Sequence, residues 1–216
     1  SVYDGSKVHC TPESIVATQE QLGADIQMVL DVCLPLPAER SDLARAVRRT
    51  ADWAARARSA HSRRDSQALF GIAQGGVDAT LRRESAQRTV ALDFDGYAVG
   101  GLSVGEERGA MMHGLEAAIA ELPADQARYL MGVGDPLSMV EAVARGVDMF
   151  DCVLPTRLGR HGTLLTGRGR VNAKRAEFAG SDQPIDPSCA CDVCRTYSAG
   201  YLRHLLVVGE TSGKTL

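Results

Sequence analysis

The chain has 216 residues, of which 44% are hydrophobic and 24% charged, with a formal net charge of −3. That length and composition allow one large domain, or one and a half, with enough chain to bury a sizeable core. No stretch approaches the roughly eighteen uninterrupted apolar residues of a membrane span. Six cysteines are too dilute for a disulfide scaffold and no signal peptide is recognisable, so a cytoplasmic, reducing setting without a membrane partner is expected.

Thr11 before Pro12 is expected to start a helix that Gly23 stops, since proline suits the first turn and glycine the left-handed cap. The short apolar run Ile26 to Leu30 follows as a buried strand. Ser41 then opens a long Ala/Arg helix through Ala60. The same alternation continues with strands at Ala68 to Ala73, Gly96 to Val99, Arg128 to Met131 and Val147 to Phe150. Helices are expected between them, over Ala79 to Leu92, Glu107 to Glu121 and Pro136 to Arg145. A β-α-β-α succession of this kind implies parallel strands with helical crossovers, as in a β/α barrel or a doubly wound sheet.

The residues that end these strands are more telling than the strands. In order they are Asp31, Gln74-Gly75-Gly76, Gly100-Gly101, Gly132 with Gly134, and Asp151. Carboxylates, an amide and bare backbone thus stand where each parallel strand gives way to its loop, which is the active-site rim of a β/α barrel and the ligand edge of a doubly wound sheet.

Two features mark the second part of the chain. Cys189, Cys191 and Cys194 form a C-x-C-x-x-C knuckle, three of the four ligands that a closed structural zinc site needs. His204, within Tyr201-Leu202-Arg203-His204-Leu205, is a candidate fourth ligand on sequence distance alone. Between Cys152 and Ala176 lie Arg157, Arg160, Arg168, Arg170, Lys174 and Arg175 with no acidic residue. Such a basic strip on an acidic protein points to a polyanion docked at one place.

The strings FGIAQGGV (Phe70 to Val77), DGYAVGGLSVGE (Asp95 to Glu106), RYLMGVG (Arg128 to Gly134), DMFDCVLPTR (Asp148 to Arg157) and CACDVC resemble bacterial tRNA-guanine transglycosylase, the queuine tRNA-ribosyltransferase family, over essentially the whole chain. The resemblance implies a (β/α)8 TIM-type barrel, incomplete in this chain, with a C-terminal zinc-binding subdomain. The partition expected is 1–176 for the partial barrel and 177–216 for a truncated zinc subdomain.

It also implies exchange of the wobble guanine of tRNA for the queuosine precursor 7-aminomethyl-7-deazaguanine (preQ1). Asp151 matches the family nucleophile, which would hold a covalent aspartyl-ribosyl intermediate in the manner of retaining glycosidases; Asp148 reads as structural. By similarity Asp31 accepts from the N–H edge of the base, while Gln74 and the Gly100-Gly101 backbone meet its carbonyl oxygen. Leu102 offers its carbonyl to the aminomethyl group, Glu106 orients that peptide, and Tyr129 and Met131 cover the faces of the base. Cys33 and Val104 resemble the bacterial pattern that admits preQ1.

Thr156, Arg157 and Arg160 resemble contacts to the anticodon loop, with the zinc knuckle bracing that surface. One structural Zn2+ per chain and a homodimer are further implications, as is a zinc-ligating histidine just beyond Leu216. Asp4-Gly5-Ser6 reads as a turn and not as the family's acid/base motif, which is expected to lie outside the chain. The expected whole is a fragment short of two front βα units, with a sixth barrel strand near Arg170 to Lys174. Its open sheet edges favour poor folding or association. A non-catalytic tRNA-binding subunit, or an inactive fragment of the enzyme, is the alternative.

Overall fold

The computed structural model describes residues 4–216. They form two compact units, one up to Asp151 and the other from Cys152 to Leu216.

The first unit alternates helix and strand: α1 (Pro12–Leu22), β1 (Ile26–Met28), α2 (Arg40–Ala60), β2 (Ala68–Ala73), α3 (Ala79–Val90), β3 (Gly96–Val99), α4 (Arg108–Ile119), β4 (Ala127–Leu130), α5 (Pro136–Val143) and β5 (Met149–Phe150). The expected boundaries hold to within a few residues. Helix α1 begins as its sequence signals: Ser14 N donates to Thr11 Oγ1 at 3.2 Å and Thr11 N donates to Ser14 Oγ at 2.9 Å, a reciprocal capping box. Gly23 closes it at φ 73°, the left-handed conformation that glycine adopts without steric cost.

All five strands pair in parallel, in the order β1-β2-β3-β4-β5. A doubly wound sheet reverses its strand order at a switch point; this one runs in chain order, the arrangement of an incomplete β/α barrel. Successive helices touch one another, α1 with α2, α2 with α3, α3 with α4 and α4 with α5. The strands are buried accordingly, with Leu69, Ile72, Ala73, Ala98, Val99 and Leu130 in the core between sheet and helices. Parallel strands covered on both faces read as continuous apolar runs, as β2 and β3 do, whereas β1, β4 and β5 keep partly exposed positions.

Parallel pairing sends every strand's carboxyl end to the same edge of the sheet. Register fixes the neighbours, with Ala73 opposite Val99, Val99 opposite Leu130 and Leu130 opposite Phe150. Asp31, Gln74, Gly100, Met131 and Asp151 therefore follow their strands onto one rim. Asp148 exchanges bonds with Arg128 across β4 and β5, its N donating to Arg128 O and its Oδ2 accepting from Arg128 N, both at 2.9 Å.

The second unit holds α6 (Leu154–Arg160), β6 (Thr163–Thr166), β7 (Gly169–Asn172), a 3-10 turn (Ala176–Phe178), α7 (Asp192–Thr196), α8 (Ala199–Val208) and α9 (Ser212–Thr215). Here one expectation is corrected. The run near Arg170 is not a sixth barrel strand; β6 and β7 form a separate two-stranded antiparallel sheet. Leu164 and Val171 of that hairpin pack on a small core of Ala173, Ile185, Ala199, Leu202 and Leu206. The hairpin thus shares its core with α8, and the division expected between residues 176 and 177 falls inside this unit.

Candidate active site

Three groups of residues are built on the strand-end rim of the first unit. The first joins the ends of β1, β2 and β3. Gln74, 2% exposed, donates through Nε2 to Asp31 Oδ2 at 2.5 Å, and its backbone N donates to Ser85 Oγ of α3 at 2.8 Å. Burial raises the pKa of Asp31 and the Gln74 bond opposes part of that rise. A carboxylate held half out of water by an amide donor is suited to receive the N–H groups of a flat, neutral ligand, since it regains in those bonds what it lost in hydration.

Gly100 and Gly101 follow β3 against the Gln74 side chain. A Cβ on Gly100 would lie 2.7 Å from Gln74 Nε2, and one on Gly101 would strike Gln74 Oε1. Gly101 also takes φ 64°, so both space and backbone conformation call for glycine. The pKa of the Cys33 thiol is raised chiefly by burial and next by the Asp31 charge.

The second group is the β3–α4 turn. Glu106 accepts from Ser103 N and, at 2.9 Å, from Val104 N. Leu36 N in turn donates to Val104 O at 3.2 Å, which ties the β1–α2 loop to this turn. Leu102 is 3% exposed and packed into the core, so its peptide is fixed from both sides.

The third group surrounds Asp151. The Tyr129 hydroxyl donates to Asp151 Oδ1 at 2.6 Å, and Gly132 N donates to the same oxygen at 2.7 Å. Asp151 remains exposed. The Tyr129 hydroxyl is pushed well above its ordinary pKa, first by burial and then by this bond, so it stays a proton donor. Met131 follows β4, its N donating to Val99 O at 3.2 Å.

In the second unit the sulfurs of Cys189, Cys191 and Cys194 lie within 4.8 Å of one another. Zinc–sulfur bonds of about 2.3 Å in a tetrahedron require sulfurs about 3.8 Å apart, so the three thiols fit such an ion with little movement. Among the described residues no histidine joins them: His204 is exposed on α8 and outside the cluster, and its candidacy is set aside. The Cys194 N–H holds the Cys191 thiol low, whereas burial pushes Cys194 up to about 11. Thr156, Arg157 and Arg160 stand exposed on α6.

The sequence expectations are thus brought together as Asp31 with Gln74, Gly100 and Gly101; Glu106 with the Leu102 to Val104 turn; and Tyr129 with Asp151. Two features went unread. One is the Tyr129 bond to Asp151, because Tyr129 reads as a base-stacking ring. The other is Arg82, 0% exposed beneath the rim; its signal lay in the helical stripe Leu81, Arg82, Ser85, Ala86, Thr89, all buried.

A parallel β/α scaffold with carboxylate, amide and bare backbone on its carboxyl rim, and in the second unit three thiols placed so that they could hold a metal ion, define the class of β/α-barrel proteins with an added cysteine cluster. Comparison with known proteins makes this specific. A family profile described as Queuine tRNA-ribosyltransferase matches residues 1–216. The chain is 52% identical over 213 residues to the queuine tRNA-ribosyltransferase of Symbiobacterium thermophilum, covering 99% of this chain and 53% of that protein. It is 51% identical over 210 residues to that of Geobacillus kaustophilus, covering 97% and 55%, and 49% identical over 213 residues to that of Bacillus subtilis, covering 99% and 56%. The chain belongs to the queuine tRNA-ribosyltransferase family, and it spans about half the length of the curated relatives it matches. Among the described residues no helix is long and apolar enough to cross a membrane.

Asp31 yields a pH test. Its folded pKa is raised, so the fold disfavours its ionised form; the cost is absent below the ordinary value of 3.8 and grows as pH rises past it. Asp31→Asn keeps an acceptor for Gln74 and is expected to raise Tm at pH 7, with the gain shrinking toward pH 4. A Tm at pH 7 equal to or below the wild type's would contradict this reading of the site.

Proposed function

We propose that this chain carries the base-reading and nucleophilic parts of a tRNA-guanine transglycosylase that replaces the wobble guanine of tRNA with preQ1. The observation that supports this most is the way Asp151 is held. Both donors, the Tyr129 hydroxyl and the Gly132 amide, fall on Oδ1, which leaves Oδ2 as the oxygen offered to a substrate. A carboxylate anchored through one oxygen is oriented without losing its second as a nucleophile.

The chemistry follows. Asp151 Oδ2 attacks ribose C1′; the bond from C1′ to the guanine breaks, and the departing base takes up a proton. The incoming preQ1 then attacks C1′ from the vacated side, loses its ring proton and frees Asp151. Two inversions leave the β configuration in place, as in retaining glycosidases. Asp31 would accept from the N–H edge of either base. The second N–H of Gln74, not engaged by Asp31, and the Gly101 amide would donate to its carbonyl oxygen, a paired pattern that adenine cannot meet. Leu102 would offer its carbonyl to the aminomethyl group of preQ1, and Cys33 and Val104 would border that end of the pocket.

The exposed Arg157 and Arg160, with Thr156 between Pro155 and Arg157 on α6, suit the phosphates of an anticodon loop. Cys189, Cys191 and Cys194 would hold one Zn2+ with a further ligand, and bound there the ion braces the fold and supplies no open coordination position for chemistry.

In the full-length protein, labelled preQ1 is expected to enter tRNA, with incorporation reduced at least about a hundredfold by Asp151→Asn. Tyr129→Phe should slow it about tenfold, the equivalent of one hydrogen bond of about 1.4 kcal/mol. Absence of incorporation by the wild type while tRNA still binds would instead support a non-catalytic tRNA-binding subunit. Elemental analysis of protein purified without added metal should find one zinc per chain, lost on Cys191→Ser. Full zinc retention by that variant would overturn the metal assignment.

A further inference from the structure

Arg82 is the largest fully buried side chain of the first unit, at 0% exposure. Its guanidinium meets four backbone carbonyls. Nε donates to Gly76 O at 2.6 Å, Nη1 to Gly100 O at 2.6 Å and Ala73 O at 3.2 Å, and Nη2 to Gly101 O at 2.8 Å. Among the described residues no carboxylate takes a hydrogen bond or ion pair from it; Glu106 acts on it through space. Burial draws its pKa down to about 10, so it remains charged at neutral pH.

A buried charge of this kind is an expensive way to fill a core, since apolar side chains of similar volume are often as stabilising or more so. What a planar five-donor fork does that no apolar group can is fix the direction of several carbonyls at once. The peptide unit is planar and trans, so a C=O aimed at Arg82 sends the N–H of the same unit the opposite way. With Gly100 O and Gly101 O both turned to the guanidinium, the N–H groups of Gly101 and Leu102 are turned from it. The Gln74 side chain lies against Gly100 and Gly101.

We propose that Arg82 is the positioning residue of base recognition: from beneath the rim it locks the Gly100-Gly101 turn so that the Gly101 amide faces the bound base, and it ties that turn to the β2–α3 loop that carries Gln74. It touches no substrate. The inference rests on the transglycosylase reading, and its test has one readout independent of that reading.

In the full-length protein, Arg82→Lys is compared with wild type in base-exchange kinetics and in amide hydrogen exchange. A lysine cannot span four carbonyls. The KM for guanine and preQ1 is expected to rise at least tenfold with kcat changed less than threefold, because chemistry at Asp151 is untouched. Amides of residues 100–106 should exchange at least tenfold faster while those of β2 keep wild-type protection. Unchanged KM and exchange overturn the proposal. So does a loss of protection spread through β2, β3 and α3, which would make Arg82 a general stabiliser of the sheet. Should Arg82→Lys not fold, Arg82→Gln, which keeps donors for two carbonyls, is read the same way, and failure of both to fold also overturns it. If the wild type exchanges no base, the functional reading fails, and the exchange pattern alone decides whether Arg82 holds the turn.

Discussion

Parallel pairing of the strands in chain order is the constraint on which the rest of the first unit depends. Parallel strands cannot be joined by tight turns, so each is followed by a loop and a helix, and all the loops that leave carboxyl ends gather on one rim. The sequence is then free to vary those loops while the sheet fixes where they start. Residues as far apart in the chain as Asp31 and Gln74 meet at 2.5 Å because β1 and β2 are neighbours in register. Tyr129 and Asp151 meet at 2.6 Å because β4 and β5 are.

The rim also shows how a barrel-like scaffold tolerates polar groups at the edge of its core. Gln27, 0% exposed, donates to Gln67 Oε1 at 3.0 Å, and Gln67 donates to Ala24 O at 2.7 Å, pinning the amino ends of β1 and β2. Arg82 does the equivalent at the carboxyl ends with four carbonyls. Both are side-chain clasps that end on backbone carbonyls at the margins of the sheet, and buried backbone groups need such partners. The difference is in what is held: the amino-end clasp holds strands, whereas Arg82 grips the carbonyls of glycine turns at the strand ends. Recognition of a flat base needs donors fixed to within fractions of an ångström, and glycine turns gain that fixity only from what grips them.

Much of this was legible in the chain, for identifiable reasons. Strands buried on both faces read as apolar runs, Thr11-Pro12 and Gly23 mark a helix by the chemistry of its ends, and strand-end residues follow from the strands. The hairpin is harder to read, because Arg170 to Lys174 by itself looks like one more barrel strand. Leu164 and Leu165 before the two-residue turn Gly167-Arg168 carried the missing signal, since a turn that short joins antiparallel neighbours and no barrel strands. Arg82 and Arg83 are alike as letters, and only the helical stripe separates the buried one from the solvated one. The Tyr129 hydroxyl bond was invisible because strand alternation says which way a ring points and not what its far end reaches.

The most direct test of the account's central claim, that Asp151 is the nucleophile of a base exchange, is to trap the full-length protein on tRNA with guanine removed, digest it, and locate the ribosyl adduct by mass spectrometry. The account predicts the adduct on the peptide containing Asp151, and specifically on that residue, with none in the Asp151→Asn variant. An adduct on Asp148 or another carboxylate, or base exchange proceeding with no adduct at all, would contradict it.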